Sequence, residues 1–243
     1  MSIHTLIIGG TRGLGKAVVN VLTQEAHDIT VLARSKPDEK NNNIYYLEAD
    51  LLESASYLKK LSELIHLKGK LDHLIFMQRY RGMSYCWKDE LEVTIHATRN
   101  IIHHMKNEFK SYNSSIVIVS SMAAKFATEG QPLSYAVAKA GLNQLVQHYA
   151  VELGEKNIRV NAVSPGTFVK DESRNYFYEN KQLSDLYNKI TPLKRMCQAE
   201  DVANVISFLC NNKSSFITGQ NIVVDGGLSI INHESLARTV GSV

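Results

Sequence analysis

Near the start of the chain, Thr5-Leu6-Ile7-Ile8 runs into Gly9-Gly10-Thr11-Arg12-Gly13-Leu14-Gly15 and then Lys16-Ala17-Val18-Val19-Asn20-Val21-Leu22. The short apolar run reads as a buried strand, and the residues after the glycines carry a helical pattern. Glycines permit close approach of the backbone to a ligand, and the first turn of a helix presents N–H groups that have no partner inside the helix. Strand, turn and helix together form a cradle for a diphosphate.

The rest of the chain repeats this strand-then-helix rhythm. Apolar runs near 3–8, 28–33, 44–49, 71–77, 115–120, 158–163 and 221–225 alternate with helical patterns near 13–25, 54–67, 88–110, 132–153 and 199–210. Such alternation predicts an α/β protein, a doubly wound Rossmann fold with a parallel sheet of about seven strands and helices on both faces. With 243 residues, 44% of them hydrophobic, the chain can bury a large core in a single domain, 1–243. It holds no internal repeat, low-complexity tract or linker. A polar, aromatic stretch from Gly166 to Gln198 lacks clear strand character, and long connections of this kind tend to be lids. Residues 166–198 are therefore expected to cover the substrate, with 228–243 as a C-terminal tail.

A second chemical feature lies midway. If residues 132–153 form a helix, Tyr135 and Lys139 stand at i and i+4 and project from one face. A cation about 5 Å from a phenol, at an effective dielectric of about 20, favours phenolate by roughly 3 kcal/mol. That brings a tyrosine into working range as an acid or base. Ser120-Ser121, at the end of the run Ile116-Val117-Ile118-Val119, can offer a hydroxyl to the oxygen that gains or loses the proton. On its own a Tyr-x-x-x-Lys pair is common and reads better as an ordinary surface helix; the glycine-rich turn upstream overturns that reading.

The spacing Gly-x-x-x-Gly-x-Gly, the Tyr135-x-x-x-Lys139 pair and Ser121 fourteen residues before the tyrosine resemble the short-chain dehydrogenase/reductase family, from about Ile3 to Gly227. The likeness is closest to compact members such as the 3-oxoacyl carrier-protein reductases. It implies hydride transfer between a nicotinamide and a small-molecule carbonyl or secondary alcohol, with Tyr135 as acid/base, Lys139 assisting it and holding the ribose, and Ser121 polarising the substrate oxygen. It further implies that Gly9, Thr11, Arg12, Gly13, Leu14 and Gly15 hold the cofactor diphosphate region. Asp50 and Leu51 would meet the adenine, Gln78 the ribose side, and Pro165, Gly166 and Thr167 the nicotinamide. For Asp50 a helix-capping role is an equally good reading. Arg34, after the second strand, stands where NAD-preferring folds often carry an acid for the ribose 2′-hydroxyl. With Arg12 nearby, two guanidinium groups suit a 2′-phosphate, which favours NADP(H) over NAD(H). Asp38 and Glu39 are the acids that would weaken that field.

Two segments depart from the family pattern. After the fourth strand the resemblance calls for Asn-Asn-Ala-Gly, whereas this chain has Phe76-Met77-Gln78-Arg79-Tyr80-Arg81-Gly82. Arg79 and Arg81 read either as solvated side chains or as a site for an anionic substrate group or the cofactor phosphates. In the next helix the family's asparagine, which anchors a water leading to the lysine, aligns with Glu90; a carboxylate there would stabilise the Lys139 ammonium, or else lie exposed on the first turn. These departures leave a rival reading, a non-catalytic NADP(H)-binding or scaffolding protein.

Other classes are disfavoured by composition. Lys plus Arg exceed Asp plus Glu by 27 − 24 = 3 and are scattered, so no basic patch for nucleic acid is expected. Cys86, Cys197 and Cys210 form no close pair, which argues against disulfides or a zinc site and fits a reducing compartment. His103 and His104 are adjacent, hence on different helix faces, and no metal site is expected. No apolar run approaches about 18 residues, so neither a signal peptide nor a membrane span is expected, and the location expected is cytoplasmic. The family's compact members associate through the helices here near 88–110 and 132–153 and through the last strand. Ala140 to Val151 is apolar over more than one face, so a homodimer or homotetramer is expected. In the 166–198 segment, Tyr176-Phe177-Tyr178 and Tyr187 can cover a substrate or serve as fixed core contacts. Lys170, Arg174, Lys181 and Lys189 are offset by Asp171, Glu172, Glu179 and Asp185.

Overall fold

The computed structural model describes residues 2–37, 43–82, 86–169, 175–177 and 179–241. Its main sheet has seven strands, all paired in parallel: β1 (Ile3–Ile8), β2 (His27–Ala33), β3 (Ile44–Glu48), β4 (His73–Phe76), β5 (Ser114–Val119), β6 (Ile158–Pro165) and, last in the sheet, the strand Asn221–Val224. The spatial order is β3-β2-β1-β4-β5-β6 followed by Asn221–Val224. Chain direction along the sheet therefore reverses between β1 and β4, the place where doubly wound folds open a ligand crevice.

The inner strands β1, β4, β5 and β6 are buried on both faces, as continuous apolar runs require, whereas the edge strands β3 and Asn221–Val224 are partly exposed. In β1, Leu6 and Ile8 enter the core beneath α2 (Ser54–Lys68), α4 (Ala97–Met105) and α5 (Leu133–Gly154). Ile7 points the other way, into the core with α1 (Gly13–Gln24) and the helix Ala199–Cys210. Asn161 fixes the edge pairing: its Nδ2 donates to the Ile217 carbonyl at 2.8 Å and its Oδ1 accepts from Gln220 N at 3.1 Å.

Several boundaries differ from the sequence expectation. The predicted strand 71–77 spans only His73–Phe76; just before it the Asp72 carboxylate accepts from His4 N at 2.7 Å and pairs with Lys110 at 2.6 Å. The predicted helix 88–110 is composite: α3 (Trp87–Leu91), a π-helical turn Glu92–His96, then α4 ending at Met105. The wide turn is stabilised from the side. Thr98 Oγ1 donates to the Thr94 carbonyl at 2.7 Å, while Gln78 Nε2 donates to Thr98 Oγ1 at 2.8 Å and reaches the Val93 carbonyl at 3.4 Å. Such π turns often sit at functional sites.

The 166–198 stretch is more regular than expected. Two short strands, β7 (Phe168–Val169) and β8 (Cys197–Gln198), pair in parallel and close its ends. Between them the helix α6 (Lys181–Ile190) packs against a C-terminal helix, His233–Gly241, that the sequence pattern did not suggest. Of the charged and aromatic residues singled out here, Lys170, Asp171, Glu172, Arg174 and Tyr178 lie outside the described residues, as do Asp38 and Glu39. Among the described residues no helix is long and apolar enough to cross a membrane, and no cluster of His, Cys, Asp or Glu could hold a metal ion.

Candidate active site

A cleft of about 820 Å³ opens at the carboxyl ends of the strands around the reversal between β1 and β4. Every residue that the sequence marked as catalytic or cofactor-binding lines it, from Gly9 to Thr167. Asp225, Leu228 and Ser229 also line it, as does Phe126. Asp225 belongs to a segment that resembles the family's last strand and reads as structural, the other three carry no motif, and the fold brings all of them to the cleft.

At one end lies the glycine-rich turn. Gly9 has φ of +89°, a left-handed conformation that a side chain would strain. A Cβ on Gly15 would lie 2.4 Å from the Gly9 carbonyl oxygen, so α1 can start this close to β1 only with glycine there. The α1 N-terminus has no side-chain cap and no acid in its first turn. Its free N–H groups and the positive end of the helix dipole thus face the cleft. Arg12 and Arg34 are both exposed at the same end, and neither has a carboxylate partner among the described residues. Asp50 does not cap a helix: Oδ1 accepts from Leu52 N at 3.0 Å, and Glu53 is the cap of α2. Buried polar atoms without partners, Gln78 Oε1 and Ser164 Oγ, lie close by in the chain to residues of the cleft wall. Glycine cradle, unpaired N–H groups and free guanidiniums are the donor set that a dinucleotide needs, and the residues present fit one.

The other end holds the serine, tyrosine and lysine. Tyr135 stands in the first turn of α5, with Lys139 one turn later and fully buried. Lys139 Nζ donates to the Val119 carbonyl at 2.8 Å, and Ser120 Oγ donates to the Lys139 carbonyl at 3.1 Å. The two contacts fasten α5 to the end of β5. Ser120 spends its hydroxyl in this joint and is buried, whereas Ser121 is half-buried in the cleft wall, its Oγ accepting from Ala123 N at 3.1 Å. The adjacent serines have different duties because neighbours in extended chain point oppositely.

Burial is the main influence on Lys139 and pulls its pKa down to about 8; Glu90 acts against that shift and Arg79 adds to it. Glu90 is itself buried, accepting from Thr94 Oγ1 at 2.7 Å. It therefore lies not on an exposed first turn but within electrostatic reach of the lysine. Gln78 turns its amide donors onto the π turn, so its side chain braces the helix while the residue lines the cleft. Arg79 does not turn outward: its guanidinium carbon lies 4.6 Å from the centre of the Tyr135 ring, and Nη2 donates to Gln131 Oε1 at 3.1 Å. Over the cleft, Tyr176 packs edge-to-face on Phe177 at 5.4 Å between ring centres, and Phe177 on Tyr187 at 6.3 Å. Tyr176 and Phe177 line the cleft, while Tyr187 stands behind them against Phe177.

Comparison with known proteins agrees with this geometry. Residues 9–229 match the family described as enoyl-(acyl carrier protein) reductase. The chain is 30% identical to the 3-oxoacyl-acyl-carrier-protein reductase FabG of Buchnera aphidicola, over 92% of this chain and 96% of that one. It is 28% identical to isoepoxydon dehydrogenase patN of Penicillium expansum, over 93% and 95% of the two chains. Among solved structures, a short chain dehydrogenase family protein from Francisella tularensis superposes with a TM-score of 0.81 at 26% identity, covering 95% of this chain and all of that one. With the sheet order, the glycine cradle and the serine, tyrosine and lysine in one cleft, these likenesses show that the chain belongs to the short-chain dehydrogenase/reductase family of nicotinamide-dependent oxidoreductases.

Proposed function

We propose that the protein catalyses reversible hydride transfer between NADP(H) and a carbonyl or secondary-alcohol substrate, acting in the cytoplasm as a homodimer or homotetramer. The observation that carries the reading is the convergence of Tyr135, Lys139 and Ser121 on one wall of a cleft whose far end is the glycine cradle. The nicotinamide, when bound, supplies or accepts the hydride. Tyr135 gives its phenolic proton to the carbonyl oxygen during reduction and recovers it during oxidation. Ser121 hydrogen-bonds the same oxygen as charge develops on it. The Lys139 ammonium, held at the end of β5, supports the phenolate that remains. Gly9 to Gly15 take the diphosphate, Asp50 and Leu51 the adenine, and Pro165, Gly166 and Thr167 the nicotinamide end.

The preference for NADP(H) rests on Arg12 and Arg34, two exposed guanidiniums at the adenine end with no described acid beside them. Fluorescence titration of the protein with NADPH and NADH tests it. At least about tenfold tighter binding of NADPH is expected, and Arg34→Asp should erase the difference. Equal affinities in the unaltered protein would refute the preference while leaving the reaction standing. The 166–198 segment is assigned to substrate choice, a reading supported by Tyr176 and Phe177, which line the same cleft as Tyr135.

A further inference from the structure

Beside Tyr135 lies a cation for which hydride transfer has no evident use. The Arg79 guanidinium stacks on the Tyr135 ring, 4.6 Å from its centre, and is steadied by the 3.1 Å bond from Nη2 to Gln131 Oε1. An arginine has five N–H donors, and this one gives just that bond to the described protein. Two other exposed arginines are neutralised, Arg195 by two bonds to the Asp201 carboxylate and Arg238 by Glu234 at 2.6 Å, whereas Arg79, like Arg12 and Arg34 at the far end of the cleft, has no such partner among the described residues. No described carboxylate lies within ion-pair distance of Arg79. Glu90 is buried and acts on Lys139, against whose ammonium Arg79 works, and the Asp225 carboxylate in the same lining accepts from Gly227 N and Ser229 N, so the Arg79 charge is left for a ligand.

We propose that Arg79 selects the substrate by charge, so that the cleft takes an oxo acid and its hydroxy acid, with the carboxylate on the Arg79 guanidinium and the reacting oxygen on Tyr135 and Ser121. The proposal rests on the hydride-transfer reading and names its substrate class. The reach is suitable. A carboxylate takes the free edge of a guanidinium at about 2.8 Å, and a carbonyl oxygen meets a phenol at about 2.7 Å. With 4.6 Å between the guanidinium carbon and the ring centre, the two acceptors fall on one small molecule, a few bonds apart. The planar fork favours a carboxylate over a neutral carbonyl group, and Gln131 with the Tyr135 face keeps it oriented before the ligand arrives. Phe126, Tyr176 and Phe177 offer apolar walls to the remainder of such an acid.

The test uses the full-length protein saturated with NADPH. Calorimetry compares oxamate, a non-reducible mimic of a short 2-oxo acid, with its neutral ethyl ester. In parallel, kcat/KM is measured for 2-oxo and 3-oxo acids of two to four chain lengths and for their methyl esters. The acid should be preferred over the ester by about thirtyfold or more in at least one series, and in Arg79→Gln that ratio should fall to within about threefold of unity, since a lost ionic partner abolishes the discrimination rather than the fold. Arg79→Lys should retain part of it. An acid-to-ester ratio near unity in the unaltered protein, or one untouched by Arg79→Gln, overturns the proposal. So does a tenfold loss of NADPH affinity in that variant, which would place Arg79 on the cofactor. Acid-selective binding without turnover of any compound would instead sink the hydride-transfer reading and leave the anion site standing.

Discussion

Lys139 and Val119 are joined by a 2.8 Å hydrogen bond from the buried ammonium to the last carbonyl of β5, which places the cation at a strand end rather than on a free helix surface. The cost of that burial appears in the lysine's pKa, drawn down to about 8 and restrained from falling further by Glu90. The ammonium form is therefore present below about pH 8 and is lost above it, so the alkaline limb of a pH–rate profile should fall near there. Glu90→Gln removes the restraining charge and should move that limb to lower pH. A limb that stays in place would detach Glu90 from the lysine.

Tyr135→Phe keeps the ring and removes the proton. Turnover should drop by about a thousandfold, within the range that general acid–base catalysis supplies, with NADPH affinity changed by less than about fivefold. Steady-state rates and a fluorescence titration on the same preparation give both numbers. Undiminished turnover would refute the acid/base assignment.

Gln78→Ala takes away the amide that bonds Thr98 and reaches the Val93 carbonyl at the π turn. Leaving buried polar groups unmatched at the turn should lower unfolding free energy by about 2 kcal/mol. Urea denaturation measures this, and a change below about 0.5 kcal/mol would remove the brace from the account of that helix.

At the opposite end of the sheet three histidine side chains are buried, His27 and His73 together on one face and His4 on the other. His27 stacks on His73 at 5.6 Å, Thr5 Oγ1 meets His27 Nδ1 at 2.8 Å, and Ser115 Oγ meets His73 Nδ1 at 2.9 Å. Burial lowers the pKa of His4, His27 and His73, the last to about 3. Since the unfolded chain binds these protons from about pH 6.5 downward and the folded chain resists them, stability should fall as pH drops from 6.5 toward 3. For His73 alone the slope approaches about 1.4 kcal/mol per pH unit. Thermal melts at pH 7, 6 and 5 test this; an unchanged midpoint would exclude it, and His73→Gln should flatten the curve.

Apolar side chains stand exposed on α5 and near the last strand: Leu133, Val151, Phe216 and Val223. An assembly of two or four chains would cover them, and light scattering at micromolar concentration should give such a mass. Val151→Glu and Phe216→Glu, introduced separately, should each reduce it by disrupting a different contact. A monomer in the unaltered protein would end the oligomer proposal.

How much of this could be read from the sequence depends on how local the signal was. Strands such as Ile116-Val117-Ile118-Val119 were visible because burial on both faces makes them continuously apolar. The serine, tyrosine and lysine were visible because the helical period aligns the latter two and the glycine-rich turn upstream gives the pair a cofactor to serve. The π turn was not, since its causes are hydroxyl and amide bonds from Thr98 and Gln78, which leave no periodic trace. Nor was the C-terminal helix, a largely exposed element with no buried residue, for which hydrophobic period gives little signal. Arg79 was noticed as a departure, yet its direction depends on how the chain turns after β4 and on Gln131, fifty-two residues on, being within reach.

The pairing of Phe168–Val169 with Cys197–Gln198 brings both ends of the intervening stretch to one point beside Thr167. Because its ends are tied to each other, residues inserted into or removed from the stretch need not shift β6 or the helix Ala199–Cys210, and doubling a loop costs only about 0.6 kcal/mol in closure entropy. In evolutionary terms the stretch is a replaceable cassette: descendants of such a chain can exchange it while inheriting β6 and the helix Ala199–Cys210 unchanged.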